Sequence, residues 1–325
     1  MAEASPGPGT RDRLLRLLAD GAPRSGERLA EDLGISRAAV WKQVHQLQAA
    51  GYPVSAEVGQ GYRWDRPWPL HEADALRAGL GESWAGIPLT VLPEVDSTNR
   101  WLRARGSGGP EMVIAERQTG GRGRLDRGWA SPPGGIYLSV AWSFEALESG
   151  PAGLGLLVSL HLAETLRALG ATRVGVKWPN DVMHEGAKLA GILCELSGDP
   201  MGRCTVVVGT GINWRADLVG PLEPGREAAG VADILPAPPP RPGLAGQLAA
   251  AVLEACQAYP DGFAPALRER WPALDTLAGR RITLQLANRI VTGEVQGVDE
   301  TGALILRTAQ GLERHLSGDT RVLPS

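Results

Sequence analysis

Five stretches between positions 111 and 212 are nearly continuous in apolar residues, and they constrain the fold more than any other feature of the chain. They are Glu111–Arg117, Ile136–Ser143, Val174–Trp178, Lys188–Leu196 and Cys204–Ile212. Runs this short and apolar read as buried strands, and buried strands need helical cover. Helical periods at Asn99–Arg105, Leu154–Leu169 and Leu244–Tyr259 supply it. The expectation is a two- or three-layer mixed α/β domain over residues 70–277. Its most apolar run, Leu154–Leu162, contains Ser159 and His161 and is too short to span a bilayer. Pro221–Pro242, with the run PAPPPRP, reads as a long irregular insertion.

The flanks have a different character. Residues 1–10 are rich in Gly and Pro and read as a mobile tail without the apolar core of a signal peptide. Over residues 11–66 the pattern is helix, helix, helix, hairpin. Leu14, Leu15, Leu17 and Leu18 mark the first helix, Ser25 caps the second and Gly34 ends it, and Ser36 caps the third. Val40, Val44 and Leu47 form the third helix's inner face, and Gly59 and Gly61 join two short extended pieces. Pro67 and Pro69 mark a stiff linker. Residues 278–325 hold short alternating strands at Arg281–Leu286, Ile290–Gly297, Ala303–Thr308 and Glu313–Leu316, the pattern of a small SH3-like β-barrel.

Net charge is -3, so the chain is no general polycation, and any nucleic-acid contact has to be local. The first three helices match a winged helix-turn-helix. Ser36, Arg37, Trp41, Lys42 and His45, with Gln48, fall on the third helix's outer face without an acidic neighbour. Such side chains suit phosphates and base edges, although a small helical domain for protein contacts shares the same pattern. Three cysteines, with no CxxC pair or His/Cys cluster, argue against a disulfide framework or structural zinc and for reduced thiols in the cytosol.

The most informative segment is QTGGRGRLDRGW at positions 118–129, directly after an apolar run. Its glycines let backbone N–H groups approach a ligand, its arginines supply forked donors for phosphate or carboxylate, and Trp129 offers a flat face. It is neither a P-loop nor a dinucleotide-binding turn, and a solvated basic loop is the bland alternative. Lys177 precedes WPND, and Lys188 opens an apolar strand. Either lysine alone would be an ordinary snorkelling residue, but beside an anion cradle it can offset charge in a transition state. Ser97, Thr98 and Asn99 read first as a helix cap and second, with Gln118, as a polar ligand set. Gly209, Gly211 and Asn213 end another strand, where close approach to a ligand is again available.

Together these residues resemble the biotin protein ligases, particularly the bifunctional kind that also represses transcription. SRAAVWK (36–42), GQGYRW (59–64), DSTN (96–99), QTGGRGR (118–124), KWPND (177–181), KLAGIL (188–193), GTGIN (209–213) and GALIL (302–306) carry the resemblance. It implies ATP-dependent formation of biotinyl-5′-adenylate, then transfer of biotin to a lysine of a carboxylase carrier domain. Magnesium would accompany ATP. It further implies Lys188, Arg124 and Lys177 as catalytic cations. Ser97, Thr98, Asn99 and Gln118 would meet biotin; Gly121, Arg122, Gly123 and Arg124 would wrap its tail and the phosphate. Trp129 would lie near adenine, Asn213 would touch the nucleotide, and Gly191 and Gly209 would permit close approach. Operator DNA and a homodimer are the implied partners. Two positions depart from the family pattern. Asp126 stands where a glycine is frequent, and Leu323 stands where an arginine often follows the acid matched by Asp319, with Arg321 close by. A transcription factor that only senses a small molecule, and a ligase for lipoate or another acid, are the rival readings.

Overall fold

The computed structural model describes residues 9–106, 108–147, 150–220 and 227–323. Most of the expected tail lies outside them; Thr10 already opens the first helix. Helices α1 (Thr10–Leu18), α2 (Gly26–Leu33) and α3 (Arg37–Ala49) precede a hairpin of β1 (Val54–Glu57) and β2 (Gly61–Trp64). The sequence caps operate as expected. Ser25 Oγ accepts from the Arg28 N–H, Ser36 Oγ accepts from the Ala39 N–H, and Gly34 ends α2 in the left-handed conformation. Leu14, Leu18, Leu29, Val40, Val44, Leu47 and Trp64 form this module's buried core.

The linker is packed rather than merely stiff. Trp68 and Leu70 are buried in the same core, with Trp68 edge-on to Trp64 at 4.7 Å. Helix α4 (Ala73–Leu80), which sequence periodicity missed, follows it. The chain then builds β3 (Leu89–Leu92), α5 (Thr98–Arg105), β4 (Glu111–Ala115), β5 (Ile136–Phe144), α6 (Ala152–Ala168), β6 (Val174–Lys177), β7 (Asp181–His184), β8 (Ala187–Gly198) and β9 (Cys204–Ile212). The seven strands form one sheet, ordered β3-β4-β5-β9-β8-β7-β6. The β3–β4 pair is parallel and the remaining ladders are antiparallel. Strand β5 is central and its first six residues are all buried, as its apolar run requires. The later helix Arg241–Ala258 lies against it, while α6 covers β6, β7 and β8 with six buried leucines, each contributing roughly 2 kcal/mol on burial.

The expected irregular insertion is partly ordered. Residues 221–226 lie outside the described set, but Ala228 bridges to Lys188 and α7 spans Val231–Ile234. Helix α8 (Arg241–Ala258) starts inside the predicted insertion, because Pro242 falls in its first turn, where no backbone N–H is needed. Arg241 is fully buried. Its guanidinium grips Glu116 at 2.7 and 2.6 Å, donates to the Gly135 carbonyl at 2.7 Å and to the Pro69 carbonyl at 3.0 Å, and lies 3.0 Å from His71 Nε2. One side chain thus ties the linker, the end of β4 and α8 together.

After α9 (Phe263–Glu269) and α10 (Trp271–Leu274), the chain forms β10 (Arg281–Gln285), β11 (Ile290–Val298), β12 (Leu304–Thr308), β13 (Gly311–His315) and β14 (Asp319–Val322). They make a five-stranded antiparallel sheet, ordered β13-β12-β11-β10-β14, with one strand more than the sequence pattern marks. This sheet leans on the central domain at one turn. Trp178 Nε1 donates to the Gly302 carbonyl at 2.9 Å, and the Thr320 hydroxyl donates to the Trp178 carbonyl at 3.2 Å.

Candidate active site

The turn after β4 is stitched beside the start of α5. Gln118 bridges Val95, the Thr119 N–H donates to the Val95 carbonyl, and the Gly120 N–H donates to the Asp96 carbonyl. This brings the DSTN and QTGGRGR segments together at one end of the sheet. Both border a cleft of about 640 Å³, a volume ordinary for a small-molecule site. Ser97, Thr98, Asn99, Gln118, Arg122, Gly123, Arg124, Trp129, Lys177, Lys188, Gly191, Gly209 and Asn213 all line it. Gly121 does not. It lies behind the loop, where a Cβ would stand 2.4 Å from Ser131 Oγ and 2.5 Å from the Trp129 carbonyl.

One wall is a polar chain with a defined direction. Ser97 caps α5, and Thr98 donates to Gln118 Oε1 through its N–H at 2.9 Å and its hydroxyl at 3.0 Å. Gln118 Nε2 passes the chain on to Ser131 Oγ at 2.8 Å. In the other direction Ser139 Oγ lies 2.7 Å from the Thr98 hydroxyl and 2.6 Å from Asn99 Oδ1. Asn99 Nδ2 donates to Glu195 Oε2 at 2.8 Å. Glu195 Oε1 receives Arg103 at 3.0 Å and Arg122 at 3.1 Å. Sequence reasoning did not single out Ser131, Ser139 or Glu195. The available signal was a carboxylate inside an otherwise apolar run.

The opposite wall carries the lysine. Lys188 Nζ lies 2.7 Å from Asp181 Oδ1 and 5.0 Å from the centre of the Trp129 ring. Asn213 donates through Nδ2 to the Lys188 carbonyl at 3.0 Å, so it also fixes the lysine's backbone. Arg124 donates to Asn180 Oδ1 at 3.3 Å. Burial pushes its guanidinium below the usual arginine range, against the opposing pull of Asp181 and Asp319. Arg127 pairs with Asp319 at 2.7 Å, which joins the loop to β14. Asp319 and Arg321 both line the cleft, whereas Leu323 uses its N–H to close onto the Arg281 carbonyl at 3.0 Å. The left-handed residue of the loop is Leu125 (φ 56°), not Asp126, whose side chain lies outside the described residues.

The glycines act differently from the sequence expectation. A Cβ at Gly211 would stand 2.3 Å from Trp129 Nε1, and one at Gly191 2.9 Å from the same ring. A Cβ at Gly209 would stand 2.2 Å from Asn99 Oδ1. These three glycines make room for the site's own side chains. Six cationic side chains and three acidic ones are among the described residues lining the cleft. A net positive, half-apolar cleft next to a polar wall can bind a polyanion beside an uncharged polar ring and stabilise negative charge passing between them.

On the N-terminal module, Ser36, Arg37, Trp41, Lys42 and His45 are all exposed along α3. The Trp41 and His45 rings lie 3.9 Å apart, and His45 Nδ1 is 3.0 Å from the Trp41 carbonyl.

Comparison with known proteins agrees with this layout. The Biotin/lipoate A/B protein ligase family profile matches residues 91–213, an HTH domain profile matches 10–63, and the Biotin protein ligase C terminal domain profile matches 278–319. The bifunctional ligase/repressor BirA of Salmonella typhimurium is 37% identical, covering 94% of this chain and 95% of its own length. The protein of the same description from Escherichia coli is 39% identical over 90% of this chain and 91% of its own. The biotin protein ligase from Aquifex aeolicus, solved in complex with biotin and ATP, superposes with a TM-score of 0.61 at 28% identity, covering 73% of this chain and 99% of that one. The chain belongs to the biotin protein ligase family, in its bifunctional ligase/repressor form.

Proposed function

We propose that the cleft activates biotin with ATP and passes it to a lysine of a carboxylase carrier domain. The convergence of Arg122, Arg124, Lys177 and Lys188 beside the Thr98–Gln118 wall carries this reading. In the first half-reaction the biotin carboxylate attacks the α-phosphorus of ATP. Pyrophosphate leaves, and a mixed anhydride, biotinyl-5′-adenylate, remains. Two anions must meet, so the work of the protein is positioning and charge neutralisation. Ser97, Thr98, Asn99 and Gln118 offer donors and acceptors to the ureido ring. Arg122, Gly123 and Arg124 surround the valeryl tail and phosphate, with Gly121 packed behind them against Ser131 and Trp129. Lys188, held over the cleft by Asp181, faces the reacting oxygens, with Arg124 and Lys177 beside it. Trp129 stands against the adenine, Asn213 meets the nucleotide, and Gly191 and Gly209 clear the floor. In the second half-reaction the acceptor ε-amine attacks the anhydride carbonyl and AMP leaves.

Magnesium would enter with the ATP phosphates and neutralise part of their charge. Such ions need one or two protein carboxylates, and Asp181 and Asp319 border the cleft. Residues 11–66 serve as a DNA-binding domain, 70–277 as the catalytic domain and 278–325 as a C-terminal domain that closes the nucleotide side. Arg37, Trp41, Lys42, His45 and Ser36 would meet operator DNA, as a homodimer whose assembly follows adenylate binding in the cytoplasm.

The test is transfer of labelled biotin to an acceptor domain with ATP and magnesium. ATP-dependent label on the acceptor lysine, lost in Lys188→Ala, is the expected result. Tight biotin binding without transfer would replace the ligase reading with that of a sensor. Dimer affinity is measured with and without adenylate; equal values would sink the coupling.

A further inference from the structure

Glu195 stands out because its carboxylate joins the polar wall of the cleft to the arginine of the Gly–Arg loop. It is on β8, mostly buried, and it anchors the Asn99 amide through one oxygen and two arginines through the other. Arg103 is on the outer side of α5 and is more exposed than Arg122. Arg122 lines the cleft. A cation assigned to a ligand carboxylate is therefore already hydrogen-bonded to a protein carboxylate.

We infer that Glu195 is a positioning residue that stands in for the ligand's carboxylate. It holds Arg122 at the edge of the cleft and yields it to the carboxylate of an acid ligand. This rests on the biotin-activating reading above. The exchange is balanced in charge: Arg122 trades one carboxylate for another, and Glu195 keeps Arg103 and the Asn99 N–H. Arg122 is thereby held near its working position, which lowers the ordering cost at binding. The stand-in also competes with the ligand, so its charge sets affinity for acids specifically. Arg103 tunes the competition, since a second cation on the same oxygen weakens the grip of Glu195 on Arg122.

Two substitutions have opposite signs. Glu195→Gln keeps an acceptor for Asn99 but turns an amide N–H2 toward the arginines, releasing Arg122. Arg103→Gln removes the second cation from the Glu195 oxygen that holds Arg122 and leaves the Asn99 bond to the other oxygen. Calorimetric titration of the full-length protein compares biotin with its alcohol analogue, in which CH2OH replaces the carboxylate. Glu195→Gln should tighten biotin by about fivefold, the equivalent of ~1 kcal/mol for a half-exposed ion pair, and leave the alcohol unchanged. Arg103→Gln should weaken biotin and again leave the alcohol unchanged. If Glu195→Gln weakens both ligands together, the carboxylate is only a scaffold for Asn99 and the inference falls. If the unaltered protein binds neither ligand, the biotin reading falls and this inference with it.

Discussion

Gly211→Ala isolates the claim that the floor glycines exist to seat Trp129. Gly211 is a strand residue paired with Tyr137 and Gly191, and alanine suits that backbone. The added Cβ would stand 2.3 Å from Trp129 Nε1 and 2.5 Å from the adjoining ring carbon, where ordinary contact begins at 3.4 Å. The ring must retreat by about 1 Å. The ring that must move carries the Lys188 ammonium 5.0 Å from its centre, so its displacement disturbs the lysine as well. Forcing extra volume into such a contact costs about 1–3 kcal/mol, and a 1 Å misplacement near reacting groups can cost about 100-fold in rate. The expectation is a fall of that order in kcat/KM for pyrophosphate exchange, with the folded state retained. Gly128→Ala is the control. It lies in the same loop, and a Cβ there meets nothing within 4 Å. Both variants are assayed for biotin-dependent ATP–pyrophosphate exchange at varied ATP. Activity within about threefold of the parent in Gly211→Ala would refute the packing argument, since ~0.7 kcal/mol is too little for a displaced ring.

Arg241→Met leaves Glu116 buried without its cation and should lower unfolding free energy by about 3–5 kcal/mol; a loss under ~1 kcal/mol in a denaturant titration would show that the network is replaceable. Burial keeps the His71 imidazole neutral well below its usual range and, more than the nearby Arg270 charge, pushes His161 down to about 4. Unfolded histidines bind protons near pH 6.5, so stability is complete above that pH and falls below it, by up to ~1.4 kcal/mol per pH unit for each buried imidazole. His71→Gln should flatten the fall between pH 6 and 5, and an unaltered slope would exclude it as a source. Arg37→Ala and Lys42→Ala should each reduce the salt slope of DNA binding by about 1 without touching biotin transfer; unchanged slopes would remove α3 from the DNA interface.

What the sequence displayed was local chemistry. The caps at Ser25, Ser36 and Ser97 need only the next three residues, and the buried strands announce themselves by composition. The Gly–Arg loop was legible because glycine and arginine are costly to place together without an anionic ligand. The elements missed had weak local patterns. Helix α4 offers only Leu76 and Leu80 as buried positions, and it holds by backbone contact instead. A Cβ at Gly79 would stand 2.0 Å from the Gly243 carbonyl, and one at Gly246 2.1 Å from the Leu76 carbonyl. Those contacts join positions 164 and 170 apart and have no periodicity to read.

The same limit explains why the residue types of the site were readable while their pairings were not. Lys188 meets Asp181 because β7 and β8 form a hairpin, and Asn99 meets Glu195 across 96 positions because α5 packs over β4, β5 and β9, beside which β8 runs. A list of cations therefore predicted the charge of the cleft but not the pairing of Arg122 with Glu195 and of Lys188 with Asp181. This arrangement has a consequence for binding. On the exchange proposed above, ligand anions do not fill an electrostatic vacuum; they compete with Glu195 for Arg122, and the same reasoning extends to Asp181 and Lys188. Affinity then measures a difference between two carboxylates or a carboxylate and a phosphate, and substitutions at the acids should alter it as strongly as substitutions at the cations, with opposite sign.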